Sequence, residues 1–585
     1  MKEIRGESLN SELNTEMLLT RISEEVRAWR EEFRPVLRDD VLQDPRRFVL
    51  LDPKEVKAEL FPKVFWCQNR SCGRVFDYSR SDDELPQRRC RICRIGSLVQ
   101  LRFVKVHRCG ALQALRPPVC RQCHASDHMA LDTRGSERVA GFQWICRRCN
   151  RTSNVFAGYC TECQWPGGGT LGRMSIQVHR AGSTFYPHTT VLLNIPRGQL
   201  DAFLSLPEWP AVAAAKFLSM PGFHNRALSS FTPVSHQQDD QDVGLSNTEL
   251  EDLLERQARG ELTPAQVVEA MQAISQRRQQ QQQASTDVVR TLVQQTGVEW
   301  PFWQHAGQEM LEVVMPKEEA SHMELFDNRH RADTVQIAHR LGISELTLVP
   351  DYPVITATYG FSRSEYSPNE CRINPFSPQR SYEGRFPIFV DQVQADALLV
   401  SLDADRVLTW LERNGHTPTL PNGTDKDLAR RAYFVRLFDA TQLRQTLMED
   451  QAQARLVFGL LHTLSHLCVR QAALLCGLDR TSLSEYLMPK ALTLAIYCNH
   501  RFGATIGALT ALFEQSLAEW LNTVRDTRRC VYDPVCHDHE GACHACAHLA
   551  ETSCRFFNLN LNGAFLFGGH DPQLANVEVG YFDLP

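Results

Sequence analysis

The sequence predicts a mixed α/β multidomain protein in which a cysteine-rich array is followed by a helical segment and a mixed α/β C-terminal domain. Three observations predict this architecture. Eleven of the twenty cysteines fall between Cys67 and Cys163, mostly in short pairs. From about residue 320 strand-like and helix-like patterns alternate, and a second cysteine cluster lies between Cys530 and Cys554. Because 585 residues exceed what one hydrophobic core serves, we divide the chain into residues 1–60, 61–190, 191–320 and 321–585.

Residues 1–60 are predicted to form an N-terminal helical segment. Apolar residues recur at helical spacing between residues 12 and 35, with Glu and Arg between them. The first nineteen residues contain no apolar core of the kind that a secretory signal needs. No apolar run approaches the roughly 20 residues of a membrane span. We therefore expect a cytoplasmic protein whose thiols stay reduced.

Residues 61–190 are predicted to form a zinc-ribbon array. Cys67 and Cys72 are separated by four residues, and four further pairs have the spacing C-x-x-C: Cys90/Cys93, Cys120/Cys123, Cys146/Cys149 and Cys160/Cys163. Such a pair directs two sulfurs at one point, and two pairs complete a tetrahedral zinc site. Disulfides and thioredoxin-like redox pairs are the alternatives, but a redox motif uses one pair, whereas here five pairs follow one another.

The spacing suggests three sites in this array. The first combines Cys67, Cys72, Cys90 and Cys93, and the last combines Cys146, Cys149, Cys160 and Cys163. The middle site takes Cys109, Cys120 and Cys123, and its fourth ligand stays open among His107, His124 and His128.

The array is also basic. Residues 61–180 contain twenty Lys and Arg against eight Asp and Glu, a formal charge of +12 in a chain of net charge −6. About three zinc ions on eleven thiolates would leave a surplus of about +7. Arginine near zinc pairs suits phosphate contacts as well as pairing with thiolates. The candidates for DNA contact are Arg88, Arg89, Arg91, Arg94, Arg147, Arg148 and Arg151.

Residues 191–320 read as a helical region interrupted by polar, low-complexity sequence at 235–246 and 275–285. Two short helices joined at Gly260 are expected between these stretches. The whole segment would then be a Gln-rich linker or insertion. The competing possibility is that the Gln-rich sequence extends the second helix. Farther on, a helix is predicted to end at Gly342, a β-rich stretch to follow, and a long apolar helix to cover residues 454–478.

The second cysteine cluster predicts a further zinc site in residues 321–585, for about three to four Zn²⁺ ions in all. Five thiols compete for four positions, so either one is spare or His544 takes part, and spacing does not decide between Cys530 and Cys536. The five are Cys530, Cys536, Cys543, Cys546 and Cys554.

His462 and His466 are four residues apart on the apolar helix, so their side chains face the same way. Histidines packed in a core are the commoner explanation of such a pair, and a pair of metal ligands is the alternative.

Motifs of several enzyme classes are missing from the sequence. There is no G-x-x-x-x-G-K-[ST] loop, no G-x-S-x-G elbow and no H-E-x-x-H helix. We therefore expect neither a P-loop ATPase nor a catalytic residue set.

Three C-terminal segments resemble the DrmB component of the bacterial DISARM anti-phage system: residues 387–403, 462–487 and 530–566. Residues 61–76, 181–196 and 354–363 are similar to segments of the same family, so the resemblance covers roughly 60–200 and 320–570. The Gln-rich stretch at 235–290 departs from the family pattern. The same C-terminal domain ends some superfamily 2 DNA helicases.

The resemblance implies a non-catalytic, zinc-binding accessory subunit in a hetero-complex with a DrmA-like superfamily 2 helicase, binding DNA and helping to load or regulate the motor. Residues 321–585 would then be a helicase-associated domain that docks the motor, and the array would meet DNA. One alternative is a metal-dependent nuclease or other enzyme that uses His462, His466 and the late cysteines. Another is a purely protein-binding assembly factor.

Overall fold

A computed structural model describes residues 3–9, 13–79, 88–136, 138–163, 172–194, 200–231, 259, 263, 267, 287–323, 328–378, 382–439, 451–499, 507–539, 541–550, 553–571 and 575–584. The chain divides into two compact units. The first comprises Met1–Ser11, Thr15–Thr190 and Thr356–Asp391, and the second comprises Glu12–Asn14, Val191–Ile355 and Gln392–Pro585. The mixed α/β class predicted from the sequence is confirmed. The division at 60, 190 and 320 stays a prediction.

The first unit is built mainly of short strands. Its α-helices are Thr15–Val26 and Asp39–Leu42, with 3₁₀ turns at Glu31–Phe33, Pro45–Arg47, Val139–Gly141 and Gly182–Thr184. Its strands are Glu3–Ser8, Phe48–Lys57, Val64–Cys67, Val75–Asp77, Leu98–Gln100, Phe103–Val106, Leu112–Ala114, Met129–Asp132, Gln143–Cys146, Thr152–Asn154 and Ser175–Val178. Three strands cross a unit boundary: Tyr186–Leu193, Ile343–Ser362 and Phe386–Leu402.

Three antiparallel sheets of three strands each carry the cysteine pairs of the first unit. Val64–Cys67 lies between Val75–Asp77 and Leu98–Gln100. Gln143–Cys146 lies between Met129–Asp132 and Thr152–Asn154, and Phe103–Val106 lies between Leu112–Ala114 and Ser175–Val178. A small core that includes Val64, Phe103, Leu131 and Trp144 is shared by these sheets.

The N-terminal segment is less helical than the periodicity predicted. The helix ends at Val26, because Trp29 is buried edge-on against His188, with ring centroids 4.9 Å apart, and the buried Arg34 donates to the Trp29 carbonyl at 3.0 Å. In addition, Glu3–Ser8 pairs antiparallel with Phe48–Lys57, which pairs parallel with the start of Phe386–Leu402. Neither of these N-terminal strands was predicted from the sequence.

The second unit is mainly helical. Its helices are Asp201–Leu204, Trp209–Phe217, residues 287–296, Trp300–Val314, Asn328–Arg340, Ala404–Arg413, Lys426–Asp439, Ala452–Leu475, Ala508–Gln515, Leu517–Asp526, Val535–His539 and Ala564–Phe567. Its 3₁₀ turns are Leu228–Ser230, Pro316–Glu319, Arg480–Ser482, Pro489–Ala491 and Tyr581–Asp583. Its own strands are Ser321–His322, Leu483–Met488, Thr493–Cys498, Gly569–Asp571 and Ala575–Val577.

Ala452–Leu475, called the central helix below, forms the middle of the second unit. It is buried along most of its length, which fits a helix that is apolar on all sides. The antiparallel strands Leu483–Met488 and Thr493–Cys498 pack against it, as does Leu517–Asp526. Phe565 comes so close to Gly459 that a Cβ there would lie 2.3 Å from its ring. Any larger side chain at position 459 would therefore clash.

Most of the predicted C-terminal elements are confirmed. Asn328–Arg340 ends just before Gly342, whose φ is +71°, and the strand Ile343–Ser362 follows. Phe386–Leu402 leads into Ala404–Arg413, where the Asp403 side chain accepts from the Arg406 amide at 2.8 Å as an N-cap. The predictions for 235–246 and 275–285 lie outside the described residues, and of the two helices expected around Gly260 the structure describes residues 259, 263 and 267 alone, so that prediction stays untested. Among described helices, none has the length and apolarity to cross a bilayer.

Candidate metal centres

Four of the five cysteine pairs of the array are followed by a residue in the left-handed conformation. In three of them the amide after the second cysteine donates back to the carbonyl of the first at 2.8–2.9 Å. The residue that follows the second cysteine has a left-handed φ at four pairs: +55° at Gly73, +58° at Arg94, +52° at His124 and +56° at Asn150. This tight turn places both sulfurs of a pair on the same side. The spacing therefore folds as the sequence predicted, as a two-sulfur half-site.

The first group joins Cys67, Cys72, Cys90 and Cys93. The strand Val64–Cys67 ends at its first member, and its pairing with Leu98–Gln100 brings the second cysteine pair alongside. The Sγ atoms of Cys67 and Cys93 are 3.6 Å apart, and those of Cys72 and Cys90 are 3.8 Å apart. The structure thus assembles the first predicted site from the predicted residues.

The second group joins Cys120, Cys123, Cys146 and Cys149, so the predicted pairing of Cys146/Cys149 with Cys160/Cys163 is wrong. The hairpin of Met129–Asp132 and Gln143–Cys146 places the two C-x-x-C turns side by side. The Sγ atoms of Cys120 and Cys149 are 3.6 Å apart, and those of Cys123 and Cys146 are 3.8 Å apart. Strand pairing, rather than the shortest spacing, selects the partners.

The third group contains His107, Cys109, Cys160 and Cys163. The strand Phe103–Val106 pairs with Ser175–Val178, and this brings together residues that are more than fifty positions apart in sequence. Cys109 Sγ lies 3.7 Å from Cys160 Sγ, and His107 Nδ1 lies 3.5 Å from Cys163 Sγ. The predicted middle set of Cys109, Cys120 and Cys123 is therefore wrong too. Of its three candidate histidines, His107 joins this other group, His124 is exposed, and His128 is half-buried beside Asp127.

The C-terminal group joins Cys530, Cys536, Cys543 and Cys546. Both cysteines between which spacing could not decide belong to it, whereas Cys554 does not. The Cys530 and Cys543 sulfurs are 3.5 Å apart, and those of Cys536 and Cys546 are 3.7 Å apart. Arg470 of the central helix donates to the carbonyls of His544, Ala545 and His548, and so holds the second turn of the group against that helix.

The sulfur distances distinguish metal binding from disulfides. A disulfide requires about 2.05 Å between sulfurs. A tetrahedron with Zn–S bonds of about 2.3 Å has sulfur–sulfur edges of about 3.8 Å. The sulfur pairs above are 3.5–3.8 Å apart, and none of the twenty cysteines, all within the described residues, forms a disulfide. Each of the four groups can hold one metal ion.

Backbone amides prepare some of these thiols for metal binding. The Gly96 amide donates to Cys93 Sγ at 3.3 Å, and this bond is the main reason that the pKa of the Cys93 thiol is lowered to about 6; the Ile95 amide adds to the effect. The backbone amide of Cys123 acts likewise on Cys120, whose pKa falls to about 6. Because a thiolate is the form that binds metal, these bonds favour the ligand state at neutral pH.

The arginines proposed for DNA contact fall into two groups. Arg147 is half-buried and donates to the carbonyls of Cys72 and Arg70 at 3.1 and 3.3 Å, so it links two metal groups. The other six are exposed on or beside the cysteine turns: Arg88, Arg89, Arg91, Arg94, Arg148 and Arg151. Nearby in the same unit, an open cleft is lined by Phe61, Lys105, Arg116, Trp144 and Phe156, among others.

His462 and His466 do face the same way, as their spacing predicted, and they lie beside Cys554 and Glu485. Sequence reasoning missed Glu485 because nothing in its local pattern suggests a ligand. The available signal was a lone carboxylate in the fully buried strand Leu483–Met488. The sequence prediction also grouped Cys554 with the other late cysteines, because they are closer to it in sequence than His462 and His466 are.

Comparison with known proteins extends this description. Residues 5–186 match the model of a domain of unknown function (DUF8724). This match ends close to residue 190, the end of the zinc-ribbon region predicted from the sequence. A DISARM protein DrmB from Bacillus paralicheniformis is 24% identical to this chain over 239 residues. That similarity covers 36% of this chain and 38% of the relative, so it spans well under half of either protein.

Proposed function

We propose that this chain is a non-catalytic, zinc-binding accessory subunit of an anti-phage defence complex, which binds DNA and pairs with a superfamily 2 helicase. The observation that carries the proposal is the similarity to a DISARM protein DrmB. The four groups of cysteine and histidine ligands support its metal-binding part.

Zinc is the metal that these groups fit best. Three are Cys₄ and one is Cys₃His, which are the usual ligand sets of closed structural zinc sites. Sulfur atoms 3.5–3.8 Å apart leave room for one ion, whereas a multi-iron cluster would spread its cysteines farther apart. We therefore propose four such zinc ions, at the upper end of the three to four expected from the sequence.

The surface of the first unit supports DNA binding. Exposed arginines surround the cysteine turns, and aromatic side chains are exposed nearby, with Phe156 at 55% and Tyr159 at 60% exposure. The guanidinium of Arg173 lies 5.3 Å from the Phe156 ring centroid. Cationic groups for phosphates beside aromatic rings for bases are the combination that single-stranded nucleic acids bind.

We expect the double variant Arg148→Glu/Arg151→Glu to weaken DNA binding equally for all sequences, because phosphate contacts carry no base information. The slope of log affinity against log salt should fall by roughly 1.5 for two lost contacts. Titration of labelled DNA at several salt concentrations measures both. Arg147 is left unchanged because its bonds to Cys72 and Arg70 would confound the result.

Arg30→Glu is the matched control, since Arg30 is exposed in the same unit but lies outside the basic region. If the double variant binds DNA as well as the control does, these two arginines do not contact DNA, and the protein-only assembly hypothesis gains.

The helicase partner rests on the resemblance of residues 387–403, 462–487 and 530–566 to the DrmB family. In that arrangement the DrmA-like motor hydrolyses ATP, and this chain completes its DNA path or controls its loading. The C-terminal domain docks the motor, and the cysteine array contacts DNA. Co-purification with the helicase tests this association.

The non-catalytic part of the proposal is supported by the burial of His462 and His466. A catalytic zinc keeps one coordination position open for water or substrate. The side chains of both histidines and of Glu485 are at most 1% exposed. This arrangement suits a closed site better than the metal-dependent nuclease considered from the sequence.

A further inference from the structure

A fifth group of ligands lies in the core of the second unit, apart from the four cysteine centres. It consists of His462 and His466 on the central helix, Glu485 on the strand Leu483–Met488, and Cys554. All four residues are buried, and one ligand atom from each lies within 4.8 Å of the other three. Three separate chain segments therefore converge on one point.

Hydrogen bonds fix the orientation of both imidazole rings. His462 Nδ1 lies 2.9 Å from the Leu559 carbonyl oxygen, and His466 Nδ1 lies 2.9 Å from the Ala547 carbonyl oxygen. A carbonyl only accepts, so each Nδ1 carries the hydrogen. In the neutral imidazole each Nε2 then presents a lone pair. This outer bond from a ring N–H to a carbonyl is typical of metal-bound histidine.

Both lone pairs face the same carboxylate oxygen, and one of them also faces a cysteine sulfur. Both Nε2 atoms lie 3.2 Å from the same Glu485 oxygen, Oε1, and His462 Nε2 is also 3.2 Å from Cys554 Sγ. The other carboxylate oxygen, Oε2, accepts from Ser465 Oγ at 2.5 Å. Two nitrogen lone pairs facing one carboxylate oxygen in a buried site repel that oxygen unless bound protons or a metal ion lie between them, and one metal ion would accept all of these lone pairs at once.

The distances match those around one small tetrahedral ion. With metal–nitrogen and metal–oxygen bonds of about 2.0–2.1 Å, the edges of the tetrahedron are about 3.3 Å, and edges to a sulfur are about 3.5 Å. Three of the six edges are 3.2 Å, namely the two from Nε2 to Glu485 Oε1 and the one from His462 Nε2 to Cys554 Sγ, and the others are at most 4.8 Å. Imidazole, carboxylate and thiolate together form a ligand set that zinc accepts and that Ca²⁺ and Mg²⁺ do not favour.

We propose that His462, His466, Glu485 and Cys554 bind a fifth metal ion, a divalent transition metal of the zinc class, in a closed site. The ion joins the central helix, the adjacent strand and the segment after the C-terminal cysteine group. With Glu485 and Cys554 ionised, it also neutralises the two negative charges of the buried site. Its role is to fix this core rather than to catalyse a reaction.

Native mass spectrometry of the full chain loaded with zinc tests the proposal by counting bound ions. We expect five ions per chain in the unmodified protein and four in Cys554→Ala and in Glu485→Gln. Cys468→Ala is the matched control, because Cys468 is buried on the same helix and lies outside the group. It should retain five ions.

Equal ion counts in the Cys554→Ala, Glu485→Gln and unmodified chains would overturn the proposal and leave a metal-free network held by protons. If a variant fails to fold, anomalous diffraction measured at the zinc edge on crystals of the unmodified protein tests the same site. A peak among the four side chains supports the site, and its absence in crystals whose four cysteine centres are occupied contradicts it.

Discussion

Replacing Cys146 and Cys160 together with Ala is expected to remove two metal ions from the chain. The two cysteines belong to different groups, one with Cys120 and the other with His107. A structural zinc contributes apparent binding free energy of about 10–16 kcal/mol. This exceeds or matches the whole stability of a typical domain, about 5–15 kcal/mol, so each lost ion should loosen the strands around it. Native mass spectrometry counts the ions, and limited proteolysis reports the loosening.

The two single variants make the same experiment diagnostic. Each single variant should lose one ion, and the double variant should lose two. If the pairing by shortest spacing were right, both single variants and the double variant would all lose the same one ion. Cys371→Ala should keep every ion, because Cys371 is buried in the same unit but belongs to none of the groups.

Cys543→Ala is expected to remove one ion and to abolish binding to the helicase while leaving DNA binding intact. The Cys543 sulfur lies beside the Cys530 sulfur in the C-terminal group. The next residue, His544, accepts a hydrogen bond through its carbonyl from Arg470 of the central helix. Without the ion, residues 530–546 lose the constraint that holds them in one conformation. The domain proposed to dock the motor is therefore disrupted, whereas the arginine-bearing unit is not.

Cys476→Ala is the control for this variant, since Cys476 lies in the same unit, belongs to none of the metal groups found among the described residues, and donates its thiol to the Ala508 carbonyl. Pull-down with the helicase and DNA titration are measured on the same samples. Loss of DNA binding together with retained helicase binding would reverse the proposed assignment of the two surfaces.

The sequence sufficed for what local geometry decides. A C-x-x-C turn needs only its own residues and one left-handed position after it, so half-sites such as Cys90/Cys93 could be recognised directly. The apolar central helix and the helix end before Gly342 are local in the same sense. The four residues of the first metal group could be predicted because the two half-sites flank strands that pair with each other, Val64–Cys67 and Leu98–Gln100.

What the sequence could not decide depends on which strands pair. Cys146 joins Cys120 rather than Cys160 because a hairpin brings the first two together, and the spacing allows either choice. His107 and Glu485 are ligand candidates only through contacts with residues far away in the chain. Cys554 was assigned to its nearest neighbours in sequence, although it lies beside His462.

The most direct test of the proposed function is co-expression of this chain with a DrmA-like superfamily 2 helicase from the same genome, followed by purification and an ATPase assay. The proposal predicts a stable complex in which ATP hydrolysis depends only on the helicase and its DNA-stimulated rate changes when this chain is present. Two proteins that elute separately, with an ATPase rate unaffected by mixing, would contradict it.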